Sequence, residues 1–480
     1  TPPAPACGSS SDPIRSWSIT TTERRLGPGP VVRRGSRAGY REIVELPGEP
    51  HPAGFEVREP IACIAHMTDL HVTDAQSPAR FEFLNRFGDD ARFRELLTMQ
   101  RPQETLNTHA VAAMVRAVNG VDCGPVTGRP VDLVAVTGDL IDNTQRNELT
   151  NALALLDGGM VHPDSGAPGY DGVQRVDWPG DIFWKPDGPV DGDPFQQAFG
   201  FPRRSGLLDE AVKPFASEGL RSPWLRCQGN HEYVCQGVGL VTSGLAEAMV
   251  GARKAIGIPA GVDPDTAVAV FTEHPEWFLN GESRVVAADP DRRPIRRDEL
   301  LPEPYYVHDT DRVRFITLDT VRYSGGAGGR VDAVQLGWLR DRLGEAGDRY
   351  VVVLSHHGSA KIDNGAALVE VLARSRRVLV WLNGHIHRNL VTQHQGFWEV
   401  TTASLVDWPC QARLVEVFET TERRVAIATT MLDHDGFGLA GLHRELAGNQ
   451  KYYGFESGSE GGPSDRNAVV LLPDPFVSLA

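Results

Sequence analysis

Short β-branched apolar runs alternating with helical patterns predict an α/β layered domain. Two further observations agree: five polar clusters each close a predicted strand, and the chain is long enough to bury a large core. The 480 residues carry 48 Lys+Arg against 63 Asp+Glu, a formal charge of −15, and 41% are hydrophobic. At roughly 100 to 200 residues per domain, this allows two to four units or one large α/β domain with insertions. The acidic balance, with no run of Lys or Arg longer than a pair, gives no footprint for a nucleic-acid duplex or an anionic membrane. No apolar stretch approaches the roughly 18 residues of a transmembrane helix.

The elements follow in chain order. Residues 1–60, rich in Pro, Gly, Ser and Arg, read as an extended arm with a possible strand over Tyr40–Leu46. The main body, 61–432, opens with a strand over Ile61–Met67, followed by a helix near Thr108–Asn119, a strand Val131–Thr137 and a helix from Asn147. Strands follow at Trp224–Cys227, Val313–Leu318, Tyr350–Leu354 and Val378–Leu382. Asp332 is the expected N-cap of a helix over Ala333–Leu343, with Val334, Leu336, Leu339 and Leu343 as its stripe. Insertions at about 158–206 and 238–302 interrupt the rhythm; in the first, the aromatics Trp178 to Phe201 are expected to pack, with a lid as the alternative. Runs at Trp398–Thr402, Leu414–Phe418 and Val425–Thr430 read as antiparallel strands, and 433–480 as an irregular tail in which Lys451–Phe455 is expected to pack.

Six cysteines without a C-x-x-C pair exclude a thiolate metal site, while Cys227 and Cys235 lie close enough in sequence to bridge or to remain reduced. The start at Thr1, without Met, suggests an exported protein, extracellular or in the cell envelope, or a trimmed chain. Oligomeric state leaves no mark in the sequence.

The chemistry lies in the five clusters: Thr68-Asp69-Leu70-His71, Gly138-Asp139-Leu140-Ile141-Asp142-Asn143, Gly229-Asn230-His231-Glu232, Ser355-His356-His357-Gly358 and Gly384-His385-Ile386-His387. Loops at the carboxyl ends of strands converge on the ligand crevice of an open α/β sheet, so the clusters are expected to share one site. Their carboxylate, amide and imidazole donors suit Mn, Fe, Zn or Co better than Ca or Cu(I). The i, i+2 pairs Asp69/His71 and His385/His387 are expected on one side of an extended segment, with Gly138 and Gly229 allowing sharp turns.

In this order the clusters resemble the pattern D-x-H, G-D-x-x-D, G-N-H-[DE], a later His and G-H-x-H of the calcineurin-like metallophosphoesterase superfamily, over about 61–420. The resemblance implies a four-layer α/β/β/α sandwich with two divalent transition-metal ions (Mn, Fe or Zn). It gives Asp69, His71, Asp139 and His387 to one ion and Asp139, Asn230, His356 and His385 to the other, with Asp139 bridging. It implies hydrolysis of a small phosphate ester by a metal-bridging hydroxide, with His231 as acid or transition-state stabiliser and Asp142 orienting it. The chain departs from the pattern at Gly358, where the family has Pro, leaving His356 or His357 as the ligand. Asp142 replaces the Tyr of plant-type purple acid phosphatases, and Asn143 the phosphate-binding Arg of Ser/Thr protein phosphatases. Arg80, Arg146 and Arg388 are available cations, but a solvated surface role is expected for each. Asp319 is expected to cap a loop, with an outer contact to the site as the alternative. His66 stands before Asp69 at a spacing that resembles some cyclic-nucleotide phosphodiesterase relatives, and alternation along the strand makes it equally a packed or hydrogen-bonded core histidine. Asp74, His109, His308 and His394 have no assignable partner. The H-x-T-D-x-H and G-D-L-x-D forms resemble bacterial phosphodiesterases, which puts diesters first and monoesters as the alternative. Hydrolysis of a non-phosphate ester, and a vestigial metal-binding surface protein, are the competing readings.

Overall fold

The computed structural model describes residues 56–190, 192–434, 436–448 and 458–477, together with the backbone of three short strands, Thr22–Arg24, Val32–Arg34 and Val44–Leu46. Lys451–Phe455 lies outside the described residues.

Two sheets dominate. One has seven strands in the order Val44–Leu46, Ala468–Pro473, Arg424–Asp433, Gln411–Thr420, Val57–Met67, Leu133–Thr137, Trp224–Cys227. The other has six, in the order Tyr306–Asp309, Val313–Thr317, Tyr350–Leu354, Val378–Asn383, Trp398–Thr401, Leu390–Gln393. Their central strands run parallel within each sheet, from Val57–Met67 to Trp224–Cys227 and from Val313–Thr317 to Trp398–Thr401.

The two-residue period of each strand builds the layers. Leu133 and Ala135 face the second sheet, packing in one cluster with Val352, Val380 and Leu382. Val134 and Val136 face outward, onto Val111, Met114, Val115 and Leu155 of the helices Asn107–Asn119 and Arg146–Asp157. On the far side Val351, Val353 and Trp381 meet Leu339, Leu343, Leu368 and Leu372 of the helices Ala333–Gly344 and Gly365–Ala373. Helix, sheet, sheet, helix is therefore the order of layers, an α/β/β/α sandwich. Asp332 caps its helix as the sequence predicts, accepting the Gln335 N–H at 2.7 Å. Val334 leaves the predicted stripe and is 72% exposed.

Three expectations are corrected. Residues 433–480 are not an irregular tail: Gly438–Ala447 is a helix against Asn107–Asn119, and Ala468–Pro473 pairs with both Arg424–Asp433 and Val44–Leu46. The cause is its apolar run, in which Val470 and Leu472 enter the inter-sheet core while Val469 and Leu471 pack on Phe418 and Ala426. Trp398–Thr401 pairs antiparallel with Leu390–Gln393 as expected, but its other neighbour is the parallel Val378–Asn383, so it belongs to the six-stranded sheet instead of joining the Gln411–Thr420 and Arg424–Asp433 pair. The first long strand begins at Val57, inside the segment read as an arm.

The insertions pack. Trp184, Phe195 and Phe201 join Leu106 and Leu446, while Trp178 and Phe183 join Val173 and Val286. In the second, Phe271 stacks edge-on against Phe81 and Phe278 and ties this insertion to the irregular segment between the first strand and first helix. Cys63, Cys227, Cys235 and Cys410 are buried free thiols, which answers the open question about Cys227 and Cys235; Cys123 is disulfide-bonded. Among the described residues no helix is long and apolar enough to cross a membrane.

Because Phe271 is fully buried, Phe271→Ala is expected to cost about 3–5 kcal/mol in urea unfolding. A cost near zero would mean that the insertion is not anchored there.

Candidate metal centre

Five loops leave the carboxyl ends of Val57–Met67, Leu133–Thr137, Trp224–Cys227, Tyr350–Leu354 and Val378–Asn383 and meet. The first two are stitched by Asp69 N–H to Gly138 O (3.1 Å), His71 N–H to Asp139 O (2.9 Å) and Val72 N–H to Leu140 O (2.9 Å). The expectation of extended i, i+2 pairs is corrected here. Asp69, His71, Asp139, His385 and His387 all have φ between 45° and 69°, the left-handed region that non-glycine residues rarely occupy. Alternate left-handed residues curl each loop, so both members of a pair turn inward. Glycine matters here for space. A Cβ at Gly229, whose φ is −104°, would stand 2.1 Å from Asp139 Oδ1, and one at Gly384 2.0 Å from Thr68 Oγ1.

The structure brings all seven predicted donors together, in two groups. In the first, His71 Nε2 is 3.1 Å from His387 Nε2 and 3.9 Å from Asp69 Oδ1, with His387 Nε2 3.3 Å from Asp69 Oδ1. In the second, His356 Nε2 is 3.0 Å from Asn230 Oδ1, 3.1 Å from Asp139 Oδ2 and 3.3 Å from His385 Nδ1. Asp139 Oδ2 is also 3.8 Å from His71 Nε2, which places this carboxylate between the groups.

Outer partners fix which atom of each ring points inward. His71 Nδ1 pairs with Asp142 Oδ1 (3.0 Å), His387 Nδ1 with Asp407 Oδ2 (2.6 Å) and His356 Nδ1 with Thr137 O (2.8 Å), so each presents Nε2. Asn230 donates Nδ2–H to Gly237 O at 3.0 Å, leaving its carbonyl oxygen for the site. His357 uses both nitrogens elsewhere, on Thr320 Oγ1 (2.8 Å) and Ala327 O (3.1 Å), so His356 is the ring of this pair that faces the cluster.

These donors fit a cation better than a proton. Around an ion with bonds of about 2.0–2.2 Å, neighbouring donors lie about 3.0–3.5 Å apart, close to the separations above. One N–H on His356 Nε2 cannot serve Asp139, Asn230 and His385 at once, whereas an ion can. The charge balance agrees. Burial would raise the carboxyl pKa of Asp69 and Asp139, yet the surrounding imidazoles hold both well below the usual range. Burial would lower the two rings facing them, but Asp139 lifts His356 to about 10, while Asp69 and Asp407 lift His387 to about 9. In the metal-free chain, protons occupy places suited to metal.

His231 faces the same cavity, 16% exposed, with its ring edge-on to His71. Its Nδ1 donates to the Asp142 main-chain carbonyl at 2.6 Å, while the Asp142 carboxylate bonds His71 Nδ1 and Arg80. The hydrogen bond to His231 is thus made by the backbone oxygen of Asp142, while its carboxylate, committed to the ligand ring, stands 3.8 Å from the same Nδ1. Arg80 is no surface residue: it is fully buried and also holds Glu104 Oε2 at 3.0 Å. Arg146 lies on the surface with Glu299, and Arg388 is exposed. Glu232 joins the second and third loops, accepting from Gly229 N (2.6 Å) and Leu140 N (2.5 Å).

The bystanders resolve into packing. His66 bonds Thr137 Oγ1 (2.9 Å) and Thr402 Oγ1 (2.8 Å), and burial with Arg413 lowers its pKa to about 3, so it is a neutral core ring. Asp319 caps Val321 N at 3.0 Å. Asp74 pairs with Arg292 Nε at 3.0 Å, His109 bonds Ala211 O at 2.9 Å, His394 bonds Glu399 Oε2 at 2.6 Å, and His308 tilts against Phe315. Sequence reasoning missed Asp407 and Arg101, whose loops match no motif.

No family model and no curated protein matches the chain. Among solved structures, it is similar to a dimetal phosphatase from Danio rerio at 12% identity, covering 78% of this chain and 100% of that one, with a TM-score of 0.38. It is similar to the GAP50 anchor of the Plasmodium inner membrane complex (9%, covering 84% and 99%, TM-score 0.29). A third likeness is a putative 5'-nucleotidase from Staphylococcus aureus in complex with alpha-ketoglutarate (12%, covering 80% and 58%, TM-score 0.32). Likenesses this distant carry no weight for function, which is argued from the donor geometry.

The raised pKa values of His356 and His387 set a pH dependence. Both exceed the ordinary 6.5, so in the metal-free chain this pairing stabilises the fold fully below about 6.5 and is lost as pH rises through about 9 to 10. Metal must displace those protons, so its affinity is expected to rise with pH over that range. Calorimetry of Mn²⁺ uptake at pH 7.5 in buffers of different ionisation enthalpy should show protons released on binding. Uptake without proton release would contradict this arrangement.

Proposed function

We propose that the chain is a metal-dependent hydrolase of phosphate esters. In this reading Asp69, His71, Asp139 and His387 hold one divalent transition ion and Asp139, Asn230, His356 and His385 the other. The observation that carries it is the pair of donor groups meeting at Asp139 Oδ2, 3.1 Å from His356 Nε2 and 3.8 Å from His71 Nε2. Mn, Fe and Zn all suit such nitrogen and oxygen donors. When bound, a pair of ions supplies Lewis acidity toward phosphoryl oxygens and acidifies an attacking water.

The chain's own residues supply the rest. His231, held at Nδ1 by the Asp142 carbonyl, directs Nε2 into a cavity of about 370 Å³ that the donors also line. From there its Nε2–H passes a proton to the departing alkoxide oxygen as the P–O bond to it breaks and the water oxygen, its own proton released to solvent, bonds to phosphorus. Asp142 and Asp407 orient His71 and His387, and Arg80 and Arg101 balance their charge. No enzyme nucleophile is required. Motif form puts diesters first; Arg101, at the cavity wall, favours the more highly charged monoester. An exported setting belongs to the proposal, and a disulfide at Cys123 suits an oxidising compartment.

Asp139→Asn is expected to abolish hydrolysis and weaken uptake of both ions, seen by elemental analysis. His231→Ala should keep its metal and lose about 10²- to 10⁴-fold in kcat on a substrate with a poor leaving group. Parent-like turnover by His231→Ala would remove it from the acid role, and full metal binding by Asp139→Asn would remove the shared carboxylate.

A further inference from the structure

The irregular segment between the first long strand and the first helix carries, beside the buried Arg80, a second arginine that is half-buried. Arg101 is 12% exposed and lines the cavity together with His71, His231, His387 and Asp407. Its backbone is fixed, since the Arg101 N–H donates to Glu104 Oε2 (2.9 Å) and its carbonyl accepts from Gln100 Nε2 (2.7 Å). Its Nε–H donates to Asp407 Oδ1 at 2.9 Å, and the other oxygen of Asp407 accepts from His387 Nδ1 at 2.6 Å. The guanidinium is thereby tied through Asp407 to the outer nitrogen of a donor ring.

What remains is its far edge. Among the described residues neither Nη1 nor Nη2 makes a hydrogen bond; Nη1 stands 4.0 Å from Asp142 Oδ1, beyond hydrogen-bond reach. Arg80 differs in this respect: it lies outside the cavity lining, with its terminal nitrogens bound to Asp142, Met99 O and Glu104. A rigid, permanently charged fork with two free terminal nitrogens on a cavity wall matches adjacent oxygens of a phosphoryl group. A monoester dianion offers three terminal oxygens and two charges, a diester only two oxygens and one charge. A fixed extra cation therefore discriminates between them in favour of the monoester.

We propose that Arg101 is the phosphate anchor of this cavity and that it sets a preference for phosphomonoester dianions over diesters. This rests on the phosphoesterase reading above and specifies its substrate class.

The test uses the full chain loaded with Mn²⁺, as wild type, Arg101→Met and Arg101→Lys. Inorganic phosphate binding is measured by calorimetry, and kcat/KM is measured on p-nitrophenyl phosphate and bis(p-nitrophenyl) phosphate. Arg101→Met should weaken phosphate binding on the order of 10- to 100-fold. It should lower monoester kcat/KM by a similar factor, about 10²-fold at most, and diester kcat/KM several-fold less. Arg101→Lys, which keeps the charge and folding contacts but loses the fork, should recover part of both losses. Wild-type phosphate affinity in Arg101→Met would overturn the anchor. Equal losses on both esters with reduced metal content would also overturn it, leaving a positioning role through Asp407 and His387. If Arg101→Met fails to fold, undiminished phosphate affinity and an unchanged ester ratio in Arg101→Lys would overturn it equally. If the wild type hydrolyses neither ester yet binds phosphate in an Arg101-dependent way, the hydrolytic reading fails while the anchor stands.

Discussion

A carboxylate taken out of water needs positive charge close by, and in this fold that demand is concentrated on Asp139, which is 1% exposed. Its Oδ2 faces His356 Nε2 at 3.1 Å, His71 Nε2 at 3.8 Å and His231 Nε2 at 3.9 Å, while Oδ1 accepts the His231 N–H at 2.9 Å. Three other loops therefore close on this one side chain. Gly229 is small because the carboxylate lies where its Cβ would be, and Glu232 ties the loop of Asp139 to that of Asn230. The two sheets meet with their parallel strand ends at this point, and the left-handed residues are the local strain that the convergence requires.

Around that centre lies a ring of compensated charge. Asp142 stands between His71 and Arg80, and Asp407 between His387 and Arg101, so two donor rings are each backed by a carboxylate and then by a guanidinium. The two arginines diverge in what they do next. Arg80 is enclosed, with both terminal nitrogens bonded into the protein, while Arg101 ends at the cavity. The same chemical unit is thus used once to hold the site and once to face what enters it.

Much of the fold and nearly all of the donor set were legible in the sequence, for a local reason. Each donor sits within four residues of a strand end, so a short motif carries both the residue and its placement, as in Gly229-Asn230-His231-Glu232. Asp407 and Arg101 were not legible, because they reach the site from irregular loops whose path depends on tertiary packing. Spacing placed Asp142 beside His231 but does not tell that its carbonyl, and not its carboxylate, makes the hydrogen bond. Arg80 looked like a surface cation because burial of an arginine depends on partners, here Glu104 and Asp142, that no pattern links to it. The strand Ala468–Pro473 was hidden by the irregular composition before it, although it is a continuous buried apolar run whose side chains alternate between two packed faces. Left-handed backbone at Asp69 or His387 has no sequence signature, since neither residue type requires it.

The proposed metal centre holds two cations side by side with Asp139 between them. Crystals of the Mn²⁺-loaded protein, examined by anomalous difference maps, test it most directly. The account predicts two peaks about 3.5–4 Å apart, both within bonding distance of Asp139, one against His71 and His387 and the other against His356 and His385. A single peak, or two peaks that do not share Asp139, would contradict it.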